Sequence, residues 1–545
     1  MKQLIQLGIC CVLALLICDP MTGNTAKDER TRFARGQRGM IATGSPEATA
    51  AALKILKAGG NAIDAAAAAH VALMVADPAN TSLGGRAQIL LSLKDGRTIA
   101  IDGATQSPAT ITRLKPNEDR SGYAVAPIPG NLAVLDELVR KYGKLKLSEI
   151  LQPAIDLAEH GFKVGPRLAL AWSKTRDALS KDPGAKQNFL KPDGSAYKTG
   201  DLFVQPRLAR VLRRVAASGV DAFYRGEIAR EIARDFKRNH GFIQKSDLSN
   251  YRPIPGVIVR TNYRSFQIAA AGGRAWGDTL VEMLNILEHF PMNSEKADAA
   301  QVEITARVIA QSFEDRPQEI GTLKPKKDGN SLATLSSRPF ADNRAALIKE
   351  MMQASQLPAE SNAQPEQHDT THLSVMDAEG NAVALTTSIG PSFGSRVATP
   401  ELGFLYAHSY RMRADPTPEA RDETEMTPTI VFQSDKPIVV VGAAGSERIP
   451  TAILQVLSNF IDRNYSLEQA VSTPRVYALG RKLRLQPGFS SSILDTLRSR
   501  GFEVESLAPD CSVHLGLVHA VRFDAASKEY FGAVDPCSDG EAAGP

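Results

Sequence analysis

The residues best placed to do chemistry lie in His368-Asp369-Thr370-Thr371-His372-Leu373-Ser374-Val375. Upstream, Ser355 to Glu366 is polar and Pro-punctuated, with little that could bury itself. Downstream, Leu373, Val375 and Ala382-Val383-Ala384-Leu385 flank the turn Asp377-Ala378-Glu379-Gly380-Asn381, the pattern of a β-hairpin with a polar tip. A hydroxyl residue thus sits where a loop meets a buried strand. If the peptide bond between Asp369 and Thr370 were cut, Thr370 would carry a hydroxyl and a new α-amine on one residue, a nucleophile with its own base. An ordinary Thr-Thr pair entering a strand has the same local sequence, so the rest of the chain must decide.

A second candidate is Val441-Gly442-Ala443-Ala444-Gly445-Ser446, between an apolar strand and a helix start. It and Ser82-Leu83-Gly84-Gly85 lack the spacing of a P-loop or dinucleotide fingerprint. They read as tight turns, and at Gly445-Ser446 such a turn can present backbone N–H groups to a developing oxyanion.

Elements of both kinds must position these residues. Helical patterns run over Pro46–Ala58, from Asn61 to Ala76, Leu132–Tyr142, Ser148–His160, Pro206–Ser218, Gly226–Asn239, Trp276–Phe290, Val302–Phe313, Ile449–Arg463 and Ser491–Arg500. Strands are expected over Gln88–Leu93, Thr98–Asp102, Thr429–Phe432, Pro437–Val441 and Gly516–Phe523. Helices bracketing hairpins imply an α+β layered body rather than separable domains.

Composition narrows the function. Hydrophobic content of 43% supports a substantial core, and a net charge of +4 spread over 545 residues gives no nucleic-acid footprint. The apolar run Leu4–Cys18 after Met1-Lys2 suits a secretory signal, read as residues 1–26, with no stable membrane span expected in the mature form. Cys10, Cys11 and Cys18 would leave with it, so Cys511 and Cys537 remain as either one disulfide or two buried thiols. No Cys/His spacing suits zinc, and neither a metal nor a cofactor is expected.

The chain resembles the γ-glutamyltransferase family of N-terminal-nucleophile (Ntn) hydrolases over nearly its whole mature length. The collinear matches include Gly39-Met40-Ile41-Ala42, Gly59-Gly60-Asn61-Ala62-Ile63-Asp64-Ala65-Ala66, Leu83-Gly84-Gly85, Leu151-Gln152-Pro153-Ala154, Phe223-Tyr224-Arg225-Gly226, Asp315-Arg316, Thr370-Thr371-His372 with Ser374-Val375, Pro428-Thr429-Ile430 and Thr473-Pro474-Arg475. The resemblance implies a four-layer αββα sandwich and a precursor that cuts itself between Asp369 and Thr370. The products would be a large subunit (27–369) and a small one (370–545) that stay associated in one body. It also implies Thr370 as nucleophile, Ser388 as the supporting hydroxyl in place of a threonine, and Gly445 and Ser446 as the oxyanion donors, Ser446 replacing a second glycine.

The glutamate pocket of the family is not matched. Its carboxylate-reading arginine falls at Ala104, its acidic and amide positions at Ser409 and Met412, its serine pair at Thr424-Glu425, and an asparagine at Gly390. Losing charged partners to a buried ligand costs about 2–5 kcal/mol each. Candidate replacements are Arg86 and Gln88, which with Ser409, Thr424 and Glu425 form the expected substrate-binding set; Arg274, Trp276 and Arg396 are further residues able to rebuild an anion site. The expected activity is amide cleavage in a small acylated substrate through an acyl-threonine. The alternatives are a γ-glutamyltransferase or glutathione hydrolase with a rearranged pocket, and a noncatalytic binding protein on the same fold.

Overall fold

Strand polarity explains the architecture. In the strand Asp369–Asp377, Leu373 and Val375 enter one apolar core while Met376 enters another, so the strand is buried on both faces. The computed structural model describes residues 31–111, 121–293, 295, 298–317, 329–358, 369–414 and 416–545. The segment read as a secretory signal and most of the polar segment before Asp369 lie outside them.

Two seven-stranded antiparallel sheets stack face to face. The first runs Glu541–Ala543, Gly39–Thr43, Asp369–Asp377, Ala382–Gly390, Arg86–Ser92, Thr98–Gly103, Ile254–Pro255. The second runs Phe33–Gly36, Glu529–Val534, Leu517–Asp524, Lys436–Ala444, Thr429–Gln433, Phe266–Gly272, Val257–Tyr263. Between them lies a core of Met40, Leu90, Met376, Ile430, Val440 and Val521. Outside the first sheet pack the helices Pro46–Lys57, Ala62–Ala76, Asn131–Tyr142 and Leu147–His160; outside the second pack Gly277–Leu287, Ala299–Asp315 and Arg448–Ile461. The layers are αββα, the sandwich expected from the sequence.

Apart from Asp64 and His70, the helix Ala62–Ala76 is apolar on every face, and every residue in it is buried. Alanine lets its neighbours approach closely, and its start is tightly held. Asn61 caps the N–H groups of Ile63 and Asp64, and the Asp64 carboxylate accepts from Asn61 and from Lys144 N–H at 3.0 Å. The Asp377 carboxylate accepts from Ala62 N–H (2.8 Å), Glu379 N–H and Asn381 N–H. One carboxylate therefore closes the hairpin tip and ties the Thr370 strand to that helix.

Sequence boundaries agree to within a few residues for most elements. Elements not anticipated include the helices Pro166–Leu179 and Arg338–Gln353 and the hairpin Val257–Tyr263/Phe266–Gly272. The cysteine question resolves as a Cys511–Cys537 disulfide, Cα–Cα 5.4 Å.

Candidate active site

Thr370, Ser388 and Arg86 form one row across three adjacent strands. Thr370 is the direct cross-strand partner of Ser388, and Ser388 of Arg86, so all three side chains leave the same face of the first sheet. That face looks between the sheets, since Met376 and Leu90, an even number of positions along, sit in the inter-sheet core. Thr370 is 5% exposed and Ser388 2%. The pairing is irregular between Asp369 and Thr370, and the Ser388 hydroxyl accepts Gly390 N–H at 2.9 Å.

The inter-sheet layer turns from apolar to polar toward this row. His372, next on the Thr370 face, pairs through Nδ1 with Thr386 Oγ1 (2.8 Å) and through Nε2 with Ser374 Oγ (2.9 Å), which donates to His519 O (3.0 Å). Burial, and secondarily His519, hold the His372 pKa well below 6.5, so the ring is neutral. His519 stacks at 6.4 Å and pairs with Ser538. On the opposite face of the hairpin, Thr387 pairs with Thr81 Oγ1 (2.7 Å) and donates to Arg86 O, fixing the strand that carries Ser388 from the helix side.

Two bonds between the sheets set their relative direction. Tyr530 OH donates to Asp377 O and pairs with Phe523, next to Arg522, the partner of Val439, whereas Ser374 reaches His519, the partner of Gly442. Residue numbers along Asp369–Asp377 therefore fall as those along Lys436–Ala444 rise. The Thr370 end and the turn Gly445-Ser446 accordingly occupy the same mouth of the sandwich. Gly445 (φ 129°) and Ser446 (φ 57°) both lie in left-handed backbone immediately before the helix Arg448–Ile461. Successive N–H groups at a long helix's N-terminus form an anion-binding concavity. Arg448 Nε donates to Gly445 O (2.8 Å), and His514, in the loop pinned by the disulfide, packs against Gly445.

Beyond Ser388 the row ends in charge. Arg86 and Asp422, each with a side chain 5% exposed, approach to 3.5 Å. Asp422 also accepts from Thr105 Oγ1 (2.6 Å) and Ser409 Oγ (2.6 Å). Gln88 lies one row deeper with its amide on Asp102 (2.6 Å), and Arg274 reaches the other Asp102 oxygen at 3.5 Å. Thr424 is buried, its hydroxyl accepting Met426 N–H; Glu425 is half-buried near Arg316, whose pKa burial lowers to about 10 against the opposing pull of Glu423 and Glu425. Arg316 stacks on Trp276. Ala104, where the resemblance places an arginine, is fully buried and uses its N–H on Asp102 and its carbonyl on Tyr251 OH. Sequence reasoning missed Asp422, Thr105 and His514, whose neighbours come from distant segments and leave no local pattern.

Paired antiparallel sheets between helical layers, with a hydroxyl residue at the start of a central strand, define an Ntn-hydrolase architecture. The sequence profile described as Gamma-glutamyltranspeptidase matches residues 48–545, and the chain belongs to that family. It is 34% identical over 498 residues to the Acylase ACY 1 proenzyme of Pseudomonas sp. (strain SE83), covering 86% of this chain and 88% of the relative. It is 32% identical over 546 residues to the Glutathione hydrolase proenzyme of Escherichia coli (strain K12), covering 92% and 91%. Among solved structures, cephalosporin acylase from Bacillus halodurans superposes with a TM-score of 0.85 at 27% identity, covering 97% of this chain and 99% of that one. The protein is an enzyme of this family, an Ntn amidohydrolase. No helix among the described residues is long and apolar enough to cross a membrane.

Proposed function

We propose that the protein is an exported acylase whose Thr370, freed by self-cleavage after Asp369, cleaves an amide of a small acylated substrate. The observation carrying this reading is the Thr370–Ser388–Arg86 row, which keeps the nucleophile's partner hydroxyl while altering the acyl-reading groups. The Thr370 α-amine takes the hydroxyl proton as Oγ attacks the substrate carbonyl. The N–H groups of Gly445 and Ser446 stabilise the oxyanion, and Ser388 orients Thr370 Oγ. The leaving amine departs with the proton, and water, activated by the same α-amine, releases the acid. His372 stays neutral behind the nucleophile and holds the two strands in register.

Residues 1–26 as a secretory leader and 27–369 and 370–545 as associated subunits complete the reading; the disulfide is compatible with an oxidising compartment. Whole-chain similarity to a glutathione hydrolase proenzyme supports a second reading, γ-glutamyl transfer or hydrolysis. Ala104 weighs against it, because by the resemblance this position holds the arginine that reads the glutamyl carboxylate, and here it carries only a methyl group. The test is purified enzyme with a γ-glutamyl anilide beside aliphatic acyl anilides: turnover of the latter with little of the former supports the acylase, and the reverse order supports the second reading.

A further inference from the structure

Arg86 has hydrogen-bonding capacity that its surroundings leave unused. Its Nε is buried without an acceptor among the described residues, and its ion pair to Asp422 is long at 3.5 Å. A buried donor with no acceptor is costly, so a site that retains one points to a ligand atom that fills it. Arg86 stands two strand spacings from Thr370, about 10 Å between Cα atoms, on the same face. Its guanidinium lies toward Asp422, and an acyl group on Thr370 extended along the row would come within reach of it about four or five atoms beyond the acyl carbonyl.

The charges nearest the row are paired. Arg86 faces Asp422, and one row deeper Arg274 faces Asp102. An acyl carboxylate would add an unpaired negative charge close to Asp422 in a buried space. A zwitterionic end would also need an acceptor for its ammonium, but the Asp422 oxygens are engaged by Thr105, Ser409 and Arg86, and Asp102 by Gln88, Ala104 N–H and Arg274. A neutral oxygen accepts from Nε without disturbing either pair.

We infer that Arg86, neutralised in place by Asp422, is the specificity-determining residue of the acyl site and selects acyl chains ending in an uncharged hydrogen-bond acceptor, such as a ketone or ester, over carboxylate or zwitterionic ends. This inference rests on the acylase reading of Thr370. The probes are four p-nitroanilides of matched length: 5-oxohexanoyl, hexanoyl, glutaryl and γ-glutamyl.

The processed wild-type enzyme is expected to favour 5-oxohexanoyl over each of the others by about tenfold or more in kcat/KM. In Arg86→Met the ratio of 5-oxohexanoyl to hexanoyl falls to near one. In Asp422→Asn, checked for folding by its separation into two chains, the released guanidinium shifts preference toward glutaryl. Glutaryl or γ-glutamyl preference in the wild type, an unchanged ratio in Arg86→Met, or failure of the processed enzyme to turn over the oxo-acyl anilide overturns the inference. Those results leave the acylase reading standing where Thr370 is still acylated, as read by intact mass with hexanoyl anilide; absence of any Thr370 acylation fails that reading instead.

Discussion

Gly442 offers a sharp test of how the nucleophile strand is held. A Cβ built there falls 2.2 Å from His372 Cε1, 2.4 Å from Nδ1 and 2.7 Å from Nε2, all inside the closest approach that real side chains tolerate. The ring cannot move aside freely, because both nitrogens are bonded, to Thr386 and Ser374. Gly442→Ala must therefore break one of those bonds or push the sheets apart. Overpacking of this kind costs about 1–3 kcal/mol and a lost hydrogen bond about 0.5–1.5 kcal/mol, giving roughly 1.5–4.5 kcal/mol in total. Because His372 is two residues from Thr370, the same displacement disturbs the pairing of Thr370 with Ser388 and slows self-cleavage. Thermal unfolding and the fraction of cleaved chain after expression read the two effects. Adding His372→Ala to Gly442→Ala removes the ring that the methyl strikes, so the double variant is expected to lose less than the sum of the singles. A Gly442→Ala protein with the wild-type midpoint and full cleavage would refute the inter-sheet contact.

Three further outcomes follow from other parts of the molecule. Ser446 holds φ 57° without being glycine, so Ser446→Gly is expected to raise stability by about 0.5–1 kcal/mol in chemical denaturation while activity persists, since the backbone donor remains; a loss of activity would contradict the oxyanion role of that N–H. Burial lowers the pKa of His70 to about 3 and of His519 to about 4, and holds those of His372 and His514 well below 6.5. The unfolded chain then binds protons that the folded one refuses, so stability is full above pH 6.5 and falls as pH drops toward 4, by up to about 1.4 kcal/mol per pH unit per histidine. Unfolding midpoints across that range check it, with His519→Gln expected to flatten the curve and an already flat wild-type curve counting against it. Reducing Cys511–Cys537, 26 residues apart, is expected to cost about 3.5 kcal/mol by loop closure, seen as a lowered midpoint in reductant that a Cys511→Ser/Cys537→Ser variant no longer shows.

What was legible in the sequence follows from how local its causes are. Pro206–Ser218 is bounded by a proline at its start and Gly219 after its end, and periodicity finds it to the residue. The Thr370 hairpin was legible because its turn carries Asp377, Gly380 and Asn381 between alternating apolar strands. The hairpin Val257–Tyr263/Phe266–Gly272 was not: its first strand is the sheet edge, Val257 is 53% exposed, and its turn places Arg264 at φ 52° where a glycine or asparagine would have signalled it. In the candidate site, Thr370, Ser388 and the turn Gly445-Ser446 stand in motifs recognisable by resemblance. Asp422 does not. Its importance comes from Arg86, Thr105 and Ser409, which converge from far along the chain, and only the folded arrangement shows that the arginine arrives already paired.

The central claim is that Thr370 becomes an N-terminal nucleophile. Intact mass under denaturing conditions, on the purified wild type beside Thr370→Ala, tests it most directly. The account predicts two chains for the wild type, the smaller beginning at Thr370, and one uncut chain for the variant. A wild-type protein that stays whole, or is cut elsewhere and still hydrolyses amides, would contradict it.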